Sequence, residues 1–403
     1  MSHSLYLKRY AWPDALFTDY QPDPSLGLIV VIPSFKEEGL IEALTALNQC
    51  VAPRQKVLLL VVVNESMQAS EEVRAVNVQT VESLKSYSSK FELLFKHIQL
   101  PEKKAGVGLA RKIGMDEAVR FFKRIKKDGV IVCYDADCTC NPNYLQAIEE
   151  QLEHPKTNAG IVFYEHRLDG PNRDAIINYE LYLRYYIDSL RYAGFPYAHQ
   201  TLGSCIVVRS SVYQKQGGMN TRKAGEDFYF LNKVIPLGGL REINETCVYP
   251  SDRISDRVPF GTGKAINDLL KNDSTYCVYH PKIFEDLRVF FSRIPDFWKE
   301  DFGELPVPVK TFLGDDWKEQ LLQVKKQVRS LDAFVRRFFH WFDAFKILKY
   351  VHFARDQFYP NITLDASLTW LADSLDIKLS GDDRLMQLRD WDRHWFKPNQ
   401  TGF

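Results

Sequence analysis

Two aspartates, Asp135 and Asp137, stand one residue apart directly after the apolar run of residues 129–134. Carboxylates are rarely buried without a partner, so a pair of them at the end of a buried strand needs a chemical explanation. Mg²⁺ and Mn²⁺ prefer carboxylate oxygens and keep some coordination positions for phosphate oxygens. One interpretation is therefore a Mg²⁺ or Mn²⁺ site that also binds a diphosphate.

Two alternatives remain for the same stretch, CYDADCTCNP (133–142). The first is a strand that ends in an ordinary polar turn. The second is a thiolate site built on Cys138 and Cys140. Zinc sites usually draw their ligands from two well-spaced pairs, and no second pair follows at such a spacing. The cysteines are therefore better explained as small packing residues.

A second pair of acids, Glu226 and Asp227, follows Gly225 and precedes the aromatic run of residues 228–230. A carboxylate at the start of a helix stabilises the helix dipole, which explains one acid better than two among aromatic neighbours. A general base needs a carboxylate held beside the reacting hydroxyl, with a pKa tuned by its surroundings. The pair is therefore a candidate for catalysis.

The segment RISDRVPFGTGKAIN (253–267) carries three cations, Arg253, Arg257 and Lys264, together with two glycines. Arg257 and Lys264 fit a mobile loop that neutralises a departing phosphate group, and the alternative is an ordinary surface loop. The Gly-Thr-Gly-Lys fragment lacks the strand that precedes a Walker phosphate loop. His280, just beyond, is either a further metal ligand or a packed histidine.

The elements that position these residues alternate between strand and helix patterns from residue 28 to about 250. Short apolar runs such as LIVVIP (28–33) predict buried strands, and amphipathic runs such as residues 70–90 predict helices. This alternation predicts an α/β fold with a mainly parallel sheet and helices on both faces. Ligands of such sheets bind beyond the carboxyl ends of the strands. Polar segments follow three predicted strands there: residues 33–37, residues 64–66, and residues 135–137.

The composition excludes some classes of function. The length of 403 residues suggests two domains or one large domain with an appendage, and the apolar share of 45% is enough for a sizeable core. Lys and Arg number 52, and so do Asp and Glu, so the zero net charge argues against nucleic acid as a partner. Seven cysteines, an odd number, favour a reduced, cytoplasmic chain. No signal-peptide core opens the sequence, and no apolar run reaches the ~18 residues of a membrane span.

Five segments, taken in order, resemble the GT-A glycosyltransferases of family 2. They are VVIPSFKEEGLIEALTAL, LLLVVVNES, GVGLARKIGMDEA, VCYDADCTCNPNYL and AGEDFYFLNKV, all within residues 28–240. The resemblance implies a Rossmann-like GT-A domain that binds a nucleotide-sugar donor and a divalent cation, Mg²⁺ or Mn²⁺. It also implies transfer to an acceptor hydroxyl with inversion at the anomeric carbon. The sugar, the nucleotide base and the acceptor are not identified by the sequence.

The resemblance assigns roles to individual residues. Asp135 and Asp137 match the Asp-X-Asp positions of the metal segment, and Asp227 falls where the family places its catalytic base, with Glu226 beside it. Asn64 stands where the family usually has an Asp, and Arg111 stands in a helix where the family commonly has an Arg-Asn pair. The expected nucleotide contacts are Pro33, Ser34, Phe35, Glu37, Asn64, Arg111, Asp135, Gly203, Ser204, Arg257 and Lys264. The expected metal ligands are Asp135, Asp137 and His280.

The chain is expected to comprise an N-terminal extension (1–27), a GT-A domain (28–280) and a C-terminal helical region (281–403) rich in aromatic residues. Within the last, residues 331–359 predict a helix with aromatic side chains on much of its surface. Packing into the protein is favoured, because aromatic stripes usually belong to a core. The alternatives are a dimer contact and an interfacial helix that brings the protein to the inner face of the membrane.

Two other classes of protein share such a nucleotide-binding core. A sugar-nucleotide pyrophosphorylase would carry a glycine-rich, arginine-containing loop directly after the first strand, and IPSFKEEG (32–39) lacks it. A non-catalytic nucleotide-sugar binding module would keep Asp135 and Asp137 without needing Asp227. The presence of all three favours an enzyme.

Overall fold

The computed structural model describes residues 3–222, 225–253, 262–271 and 276–395. The chain divides into two compact units of two segments each. The sheet unit comprises Met1–Pro171 and Thr201–Ala265, and the helical unit comprises Asn172–Gln200 and Ile266–Phe403. This division differs from the predicted boundaries. Residues 1–27 are part of the sheet unit, and the segment Asn172–Gln200 belongs to the helical unit.

A sheet of eight strands forms the centre of the sheet unit. The strands are β1 (Leu26–Ser34), β2 (Lys56–Ser66), β3 (Glu92–Leu100), β4 (Val130–Cys133), β5 (Thr139–Cys140), β6 (Ala159–Tyr164), β7 (Ile206–Arg209) and β8 (Leu240–Tyr249). Their order across the sheet is β3-β2-β1-β4-β7-β6-β8-β5. Neighbours are parallel from β3 to β4, antiparallel around β7, parallel between β6 and β8, and antiparallel between β8 and β5. The sheet is therefore mixed.

Helices of the sheet unit are α1 (His3–Arg9), α2 (Leu40–Asn48), α3 (Glu71–Ser86), α4 (Val107–Arg124), α5 (Tyr144–Glu153), α7 (Ser210–Lys215) and α8 (Glu226–Val234). The helical unit contributes α6 (Arg173–Tyr192), and α9 (Thr262–Lys271) includes the boundary between the units. All residues of β1 and β4 are buried, as expected for apolar strands covered on both faces. Gly114 brings α4 close to β1, because a Cβ there would lie 2.4 Å from Val31 Cγ1.

The N-terminal segment packs on α4 through the buried carboxylate of Asp116. This carboxylate accepts hydrogen bonds from the hydroxyls of Tyr6 at 2.6 Å and Tyr213 at 2.9 Å. It also accepts one from the backbone N–H of Trp12 at 2.7 Å. Further along α4, Arg124 donates to the carbonyl of Phe17 at 3.0 Å. The segment before β1 thus helps to fix the helix that carries Arg111.

The helical unit contains a two-stranded sheet and a set of helices around α6. The strands are β9 (Cys277–Val278) and β10 (Ile362–Thr363), which pair antiparallel. The further helices are α10 (Lys282–Ser292), α11 (Ile294–Trp298), α12 (Val307–Leu313), α13 (Trp317–Lys326), α14 (Leu331–Trp341), α15 (Ala344–Gln357), α16 (Leu364–Leu375) and α17 (Arg384–His394). Buried ion pairs hold α17 on α6, among them Arg389 to Glu180 at 2.7 Å.

The segment predicted as one aromatic helix forms two, α14 and α15, which are separated by Phe342 and Asp343. Phe338 and Phe342 are fully buried, and their rings contact the ring of Phe290 from α10. These aromatic side chains are therefore part of the core of the helical unit. Within the described ranges, no helix is both long enough and apolar enough to cross a membrane.

Candidate active site

The polar segments at the carboxyl ends of β1, β2 and β4 lie at one edge of the sheet. The three strands are parallel neighbours, so their carboxyl ends point the same way. Ser34, the last residue of β1, pairs with Val63, which precedes Asn64 in β2. Cys133 ends β4 two residues before Asp135. The sheet thus brings together segments that are far apart in the sequence.

Glu37, Asp137 and Arg253 form one cluster at this edge. The buried carboxylate of Glu37 accepts two hydrogen bonds from the guanidinium of Arg253, at 2.6 and 2.7 Å. Nη2 of Arg253 also lies 3.2 Å from Oδ2 of Asp137. The bidentate pair fixes the orientation of the arginine. About a third of each of the Asp137 and Arg253 side chains is exposed, so a ligand can reach both.

A second cluster joins Arg111, Asp135 and Glu226. Arg111 lies in α4 and is almost fully buried. Its Nη2 donates to Oδ1 of Asp135 at 2.5 Å, and its Nη1 donates to Oε1 of Glu226. Burial would lower the pKa of Arg111, but the carboxylates of Asp135 and Glu226 outweigh it and raise that pKa above its ordinary value. The guanidinium is therefore a permanent buried cation.

Two glycines allow these side chains to approach one another. Gly203 faces the guanidinium of Arg111, since a Cβ at this position would lie 2.6 Å from Nη1. At Gly108 a Cβ would lie 2.1 Å from the carbonyl oxygen of Arg222 and 3.1 Å from Cβ of Glu226. Side chains at either position would displace the second cluster. Gly203, expected at the nucleotide, thus packs against Arg111.

Asp227 stands in the first turn of α8, after Gly225, whose φ of 70° lies in the left-handed region. Its Oδ1 accepts a hydrogen bond from the N–H of Phe228 at 2.7 Å. Burial and the neighbouring Glu226 carboxylate raise the pKa of Asp227 to about 7, against the lowering effect of Arg111. A carboxyl group with this pKa exists in both protonation states near neutral pH, as a general base requires.

Residues 29–217 match the family model described as Glycosyl transferase family 2. The chain therefore contains, over just under half of its length, a family 2-like glycosyltransferase domain. Its α/β sheet unit has the GT-A fold, and its C-terminal region is helical and rich in aromatic residues. No curated protein matches the sequence.

Solved structures similar to this glycosyltransferase include residues 1–349 of TarS from S. aureus in complex with UDP-GlcNAc. That pair shares 13% identity over 82% of this chain and 92% of the other, with a TM-score of 0.41. Another is the mannosyltransferase PcManGT from Pyrobaculum calidifontis in complex with GDP-Man and Mn²⁺. It shares 15% identity over 97% of this chain and 92% of its own, with a TM-score of 0.38.

The Asp-X-Asp segment of the glycosyltransferase offers carboxylate oxygens, which suit Mg²⁺ or Mn²⁺. Among the described residues no group of three His, Cys, Asp or Glu side chains is arranged to hold a metal ion. The donor set fits a cation that takes few ligands from the protein and the rest from a diphosphate and water. The two aspartates are exposed to the same extent, and each pairs with an arginine, Asp135 with the buried Arg111 and Asp137 with Arg253. The adjacent Cys138 is buried, and burial raises the pKa of its thiol, so it is a neutral packing residue.

Asn64 and Ser34, expected at the nucleotide, are buried within this edge. The amide of Asn64 donates to the carbonyl of Ser34 at 2.9 Å. The carbonyl of Asn64 accepts from the side chain of Asn77 in α3 at 3.2 Å. Pro33 is likewise buried in β1, and Phe35, which follows the strand, is half-buried. These residues belong to the carboxyl ends of the strands. Their contacts with the nucleotide stay a prediction.

The remaining predicted residues lie in other parts of the chain. Ser204 is buried in a short 3₁₀ turn before β7. Lys264 lies half-buried in α9, and Arg257 lies outside the described residues. His280 belongs to the helical unit, where its Nδ1 accepts from the N–H of Lys282 at 3.1 Å and its ring packs on Tyr359. Burial lowers the pKa of His280, and its role as a metal ligand stays a prediction.

Sequence reasoning placed Glu65 in a polar segment at the end of a strand but did not predict its partners. The buried carboxylate of Glu65 accepts hydrogen bonds from Asn77 at 3.0 Å and Gln99 at 3.1 Å. Burial would raise the pKa of Glu65, but these hydrogen bonds outweigh it and lower that pKa. The signal was available, since Glu65 directly follows Asn64, but its partners come from α3 and β3 and have no recognisable spacing.

Proposed function

We propose that this enzyme transfers a sugar from a nucleoside-diphosphate sugar to an acceptor hydroxyl, with inversion, and uses Asp227 as the base. One observation carries the proposal: Arg111 joins Asp135 of the Asp-X-Asp segment to Glu226, the neighbour of Asp227. A donor-side acid and the predicted base are thereby parts of one polar cluster. A carboxyl group whose pKa is raised by burial and by a neighbouring acid, as that of Asp227 is, is expected at a catalytic site.

The reaction needs one proton acceptor and one leaving group. The acceptor oxygen attacks the anomeric carbon of the sugar, and the bond from this carbon to the diphosphate oxygen breaks. Asp227 takes the proton of the acceptor hydroxyl, and the nucleoside diphosphate leaves with the bonding electrons. Attack on the face opposite the leaving group inverts the anomeric carbon.

The chain's own charges support the departure of the diphosphate. Asp137, with Asp135 nearby, would hold Mg²⁺ or Mn²⁺, which supplies positive charge for the leaving oxygens when it is bound. Arg253 lies beside Asp137 and presents a guanidinium at the same place. Lys264 and Arg257 are the further cations that we assign to the leaving group. Glu226 acts on the base, because its carboxylate raises the pKa of Asp227.

The substitution Asp227→Asn tests the assignment of the base. It keeps the size of the side chain and removes the proton acceptor, so turnover should fall at least about 10²-fold, the usual scale of general base catalysis. Binding of the nucleoside diphosphate should change little. Turnover is followed as release of nucleoside diphosphate, and binding by calorimetry.

Asp373→Asn serves as the matched control, because it is the same chemical change at an exposed position of α16. This variant should keep full turnover. Unchanged turnover in Asp227→Asn would remove Asp227 from the role of base. Binding of a nucleotide sugar without any release of diphosphate by the wild-type protein would favour the non-catalytic binding module. Formation of a nucleotide sugar from a sugar phosphate would favour the pyrophosphorylase.

A melting-temperature panel tests the donor class and the metal. UDP, GDP and their sugars are added with and without Mn²⁺, since a ligand that binds the folded state raises the melting temperature by mass action. We expect a Mn²⁺-dependent rise with one nucleotide, lost in Asp137→Ala and kept in Asp373→Ala. An equal rise without Mn²⁺ would contradict the metal site, and no rise with any nucleotide would contradict the donor class.

A further inference from the structure

Arg111 connects three elements of the active site. It comes from α4, Asp135 follows β4, and Glu226 opens α8. Its two terminal nitrogens donate to two different carboxylates, one from each of the other elements. Both Arg111 and Glu226 are at most 3% exposed, whereas a third of the Asp135 side chain is exposed. The guanidinium therefore lies behind the acid that faces the ligand.

The protein encloses this guanidinium on its other sides. The backbone of Gly203 lies against it so closely that a Cβ would meet Nη1, Nη2 and Cζ within 2.9 Å. Its Nε is buried as well. A phosphate group could bind Arg111 only by displacing Asp135 or Glu226. The residue resembles a phosphate ligand in sequence, but its Nη1 and Nη2 each donate to a protein carboxylate.

Asp227 is surrounded by groups of both signs. Glu226 on the same helix and Asp135 after β4 raise the pKa of Asp227, and Arg111 on α4 lowers it. Cys133 of β4 and Cys205 before β7 also interact electrostatically with Asp227, but burial raises the pKa of both thiols, which are therefore neutral. Among the residues that the structure describes, Arg111 is thus the cation that balances the acids around Asp227.

We propose that Arg111 is a positioning residue, which holds Asp135 and Glu226 in place and balances the charge around Asp227 without contacting the donor. This inference rests on the proposed role of Asp227 as the base. It differs from the expectation that Arg111 binds the nucleotide. The two roles predict opposite results for donor affinity and for the pH dependence of turnover.

The experiment compares Arg111→Met, Arg111→Lys and Glu226→Gln with the wild-type enzyme. The nucleotide sugar that gives the largest rise in the melting-temperature panel is the substrate, and release of its diphosphate is followed against pH. The acid limb is the low-pH side of the profile of kcat/KM against pH, where the rate rises as the base loses its proton. In Arg111→Met this limb should move to higher pH by about 1 unit or more, because an opposite charge near a carboxylate shifts its pKa by ~1–3 units. In Glu226→Gln the limb should move to lower pH. Arg111→Lys should lie between wild type and Arg111→Met, because it keeps the charge and loses the two-pronged geometry.

Affinity for the nucleoside diphosphate separates the two roles. A positioning residue leaves this affinity within about threefold of wild type while kcat falls, because only interactions made in the transition state are lost. A more than tenfold loss of affinity with an unshifted acid limb would overturn the inference and make Arg111 a donor ligand. A purely structural role would not move the limb in opposite directions in Arg111→Met and Glu226→Gln.

Arg111→Met leaves the buried carboxylate of Glu226 without its cation and could prevent folding. The double variant Arg111→Met with Glu226→Gln removes both partners, which is milder than removing one. Its acid limb should lie closer to that of the wild-type enzyme than the limb of either single variant does. A limb in Glu226→Gln that does not move, or moves to higher pH, would contradict the inference even if no Arg111 variant folds.

A donor-independent readout separates this inference from the proposed function. The native pKa of Asp227 exceeds its unfolded value of 3.8, so wild type should lose stability relative to Asp227→Asn as pH rises from about 4 to about 7. When both proteins also carry Glu226→Gln, this loss of stability should be complete at a lower pH, because the pKa of Asp227 is then lower. Full turnover in Asp227→Asn would refute the base, and with it the part of the inference that concerns the charge around Asp227. An inactive Asp227→Asn with no such change in the Glu226→Gln background would refute the inference alone.

Discussion

Asp227 titrates near neutrality because burial and the adjacent Glu226 carboxylate penalise its ionised form. A base must be deprotonated, so kcat/KM of the wild-type enzyme should rise with pH around a midpoint of about 7. Below the midpoint, log kcat/KM should increase by about one per pH unit, as for a single ionisation. The measurement is the initial rate of diphosphate release at low donor concentration. A profile that is flat from about pH 5 to 8 would contradict a base with this pKa.

Gly225 determines how α8 begins, and with it the direction of Glu226 and Asp227. Its φ of 70° is unfavourable for residues with a Cβ. Gly225→Ala should therefore cost about 1–2 kcal/mol of folding free energy and lower turnover, because the strain is relieved by moving the acids. Gly217→Ala is the matched control, since Gly217 has φ of 78° in the same unit and no atom within 4 Å of a Cβ.

Urea unfolding gives the stability of both variants, and diphosphate release gives their turnover. Similar losses of stability with a loss of turnover confined to Gly225→Ala would support this role of the turn. Equal turnover in the two variants would show that α8 keeps its acids in place without Gly225.

The elements that sequence patterns predicted well are those covered on both faces. β1, β2 and β4 are continuous apolar runs, and their burial explains why the pattern was readable. β8 was missed because its sequence LREINETCVY mixes charged residues with a few apolar ones, and β5 has only two residues. The antiparallel direction of β7 was not readable either, because an apolar run of four residues carries no information about the direction of its neighbours.

The candidate site divides in the same way, into features that local sequence predicts and features that depend on tertiary packing. Pairs close in sequence, such as Asp135 with Asp137 and Glu226 with Asp227, were identified from their spacing. The contact of Arg111 with Glu226 joins residues 115 positions apart and depends on how α4 and α8 pack. Glycines at 108 and 203 make that packing close, but glycine alone does not reveal which side chain it faces. Long-range charge pairing therefore had to be seen in the structure.

At the scale of the whole molecule, each unit has its own core, and both cores bury aromatic rings. The sheet unit also buries the aliphatic strands β1, β2 and β4, and the helical unit also buries a network of ion pairs on Glu180. Glu180 in α6 accepts from both Arg184 and Arg389, and all three are buried. A buried network of this kind is costly to break at one partner. The buried aromatic residues of α14 therefore contribute to the core of this unit.

Adjacent residues of α10 offer a test of that aromatic core. Phe290 is fully buried, and its ring contacts those of Phe297, Phe338 and Phe342. Phe290→Ala should lower the free energy of unfolding by about 3–5 kcal/mol, because it removes buried surface and leaves a cavity. Val289, the preceding residue, is 47% exposed, so Val289→Ala should change stability by less than about 0.5 kcal/mol. Urea unfolding followed by tryptophan fluorescence measures both. Equally small effects of the two substitutions would show that the rings do not form a close-packed core. Residues 331–359 would then be better explained as helices that bind a membrane or a second copy of the chain.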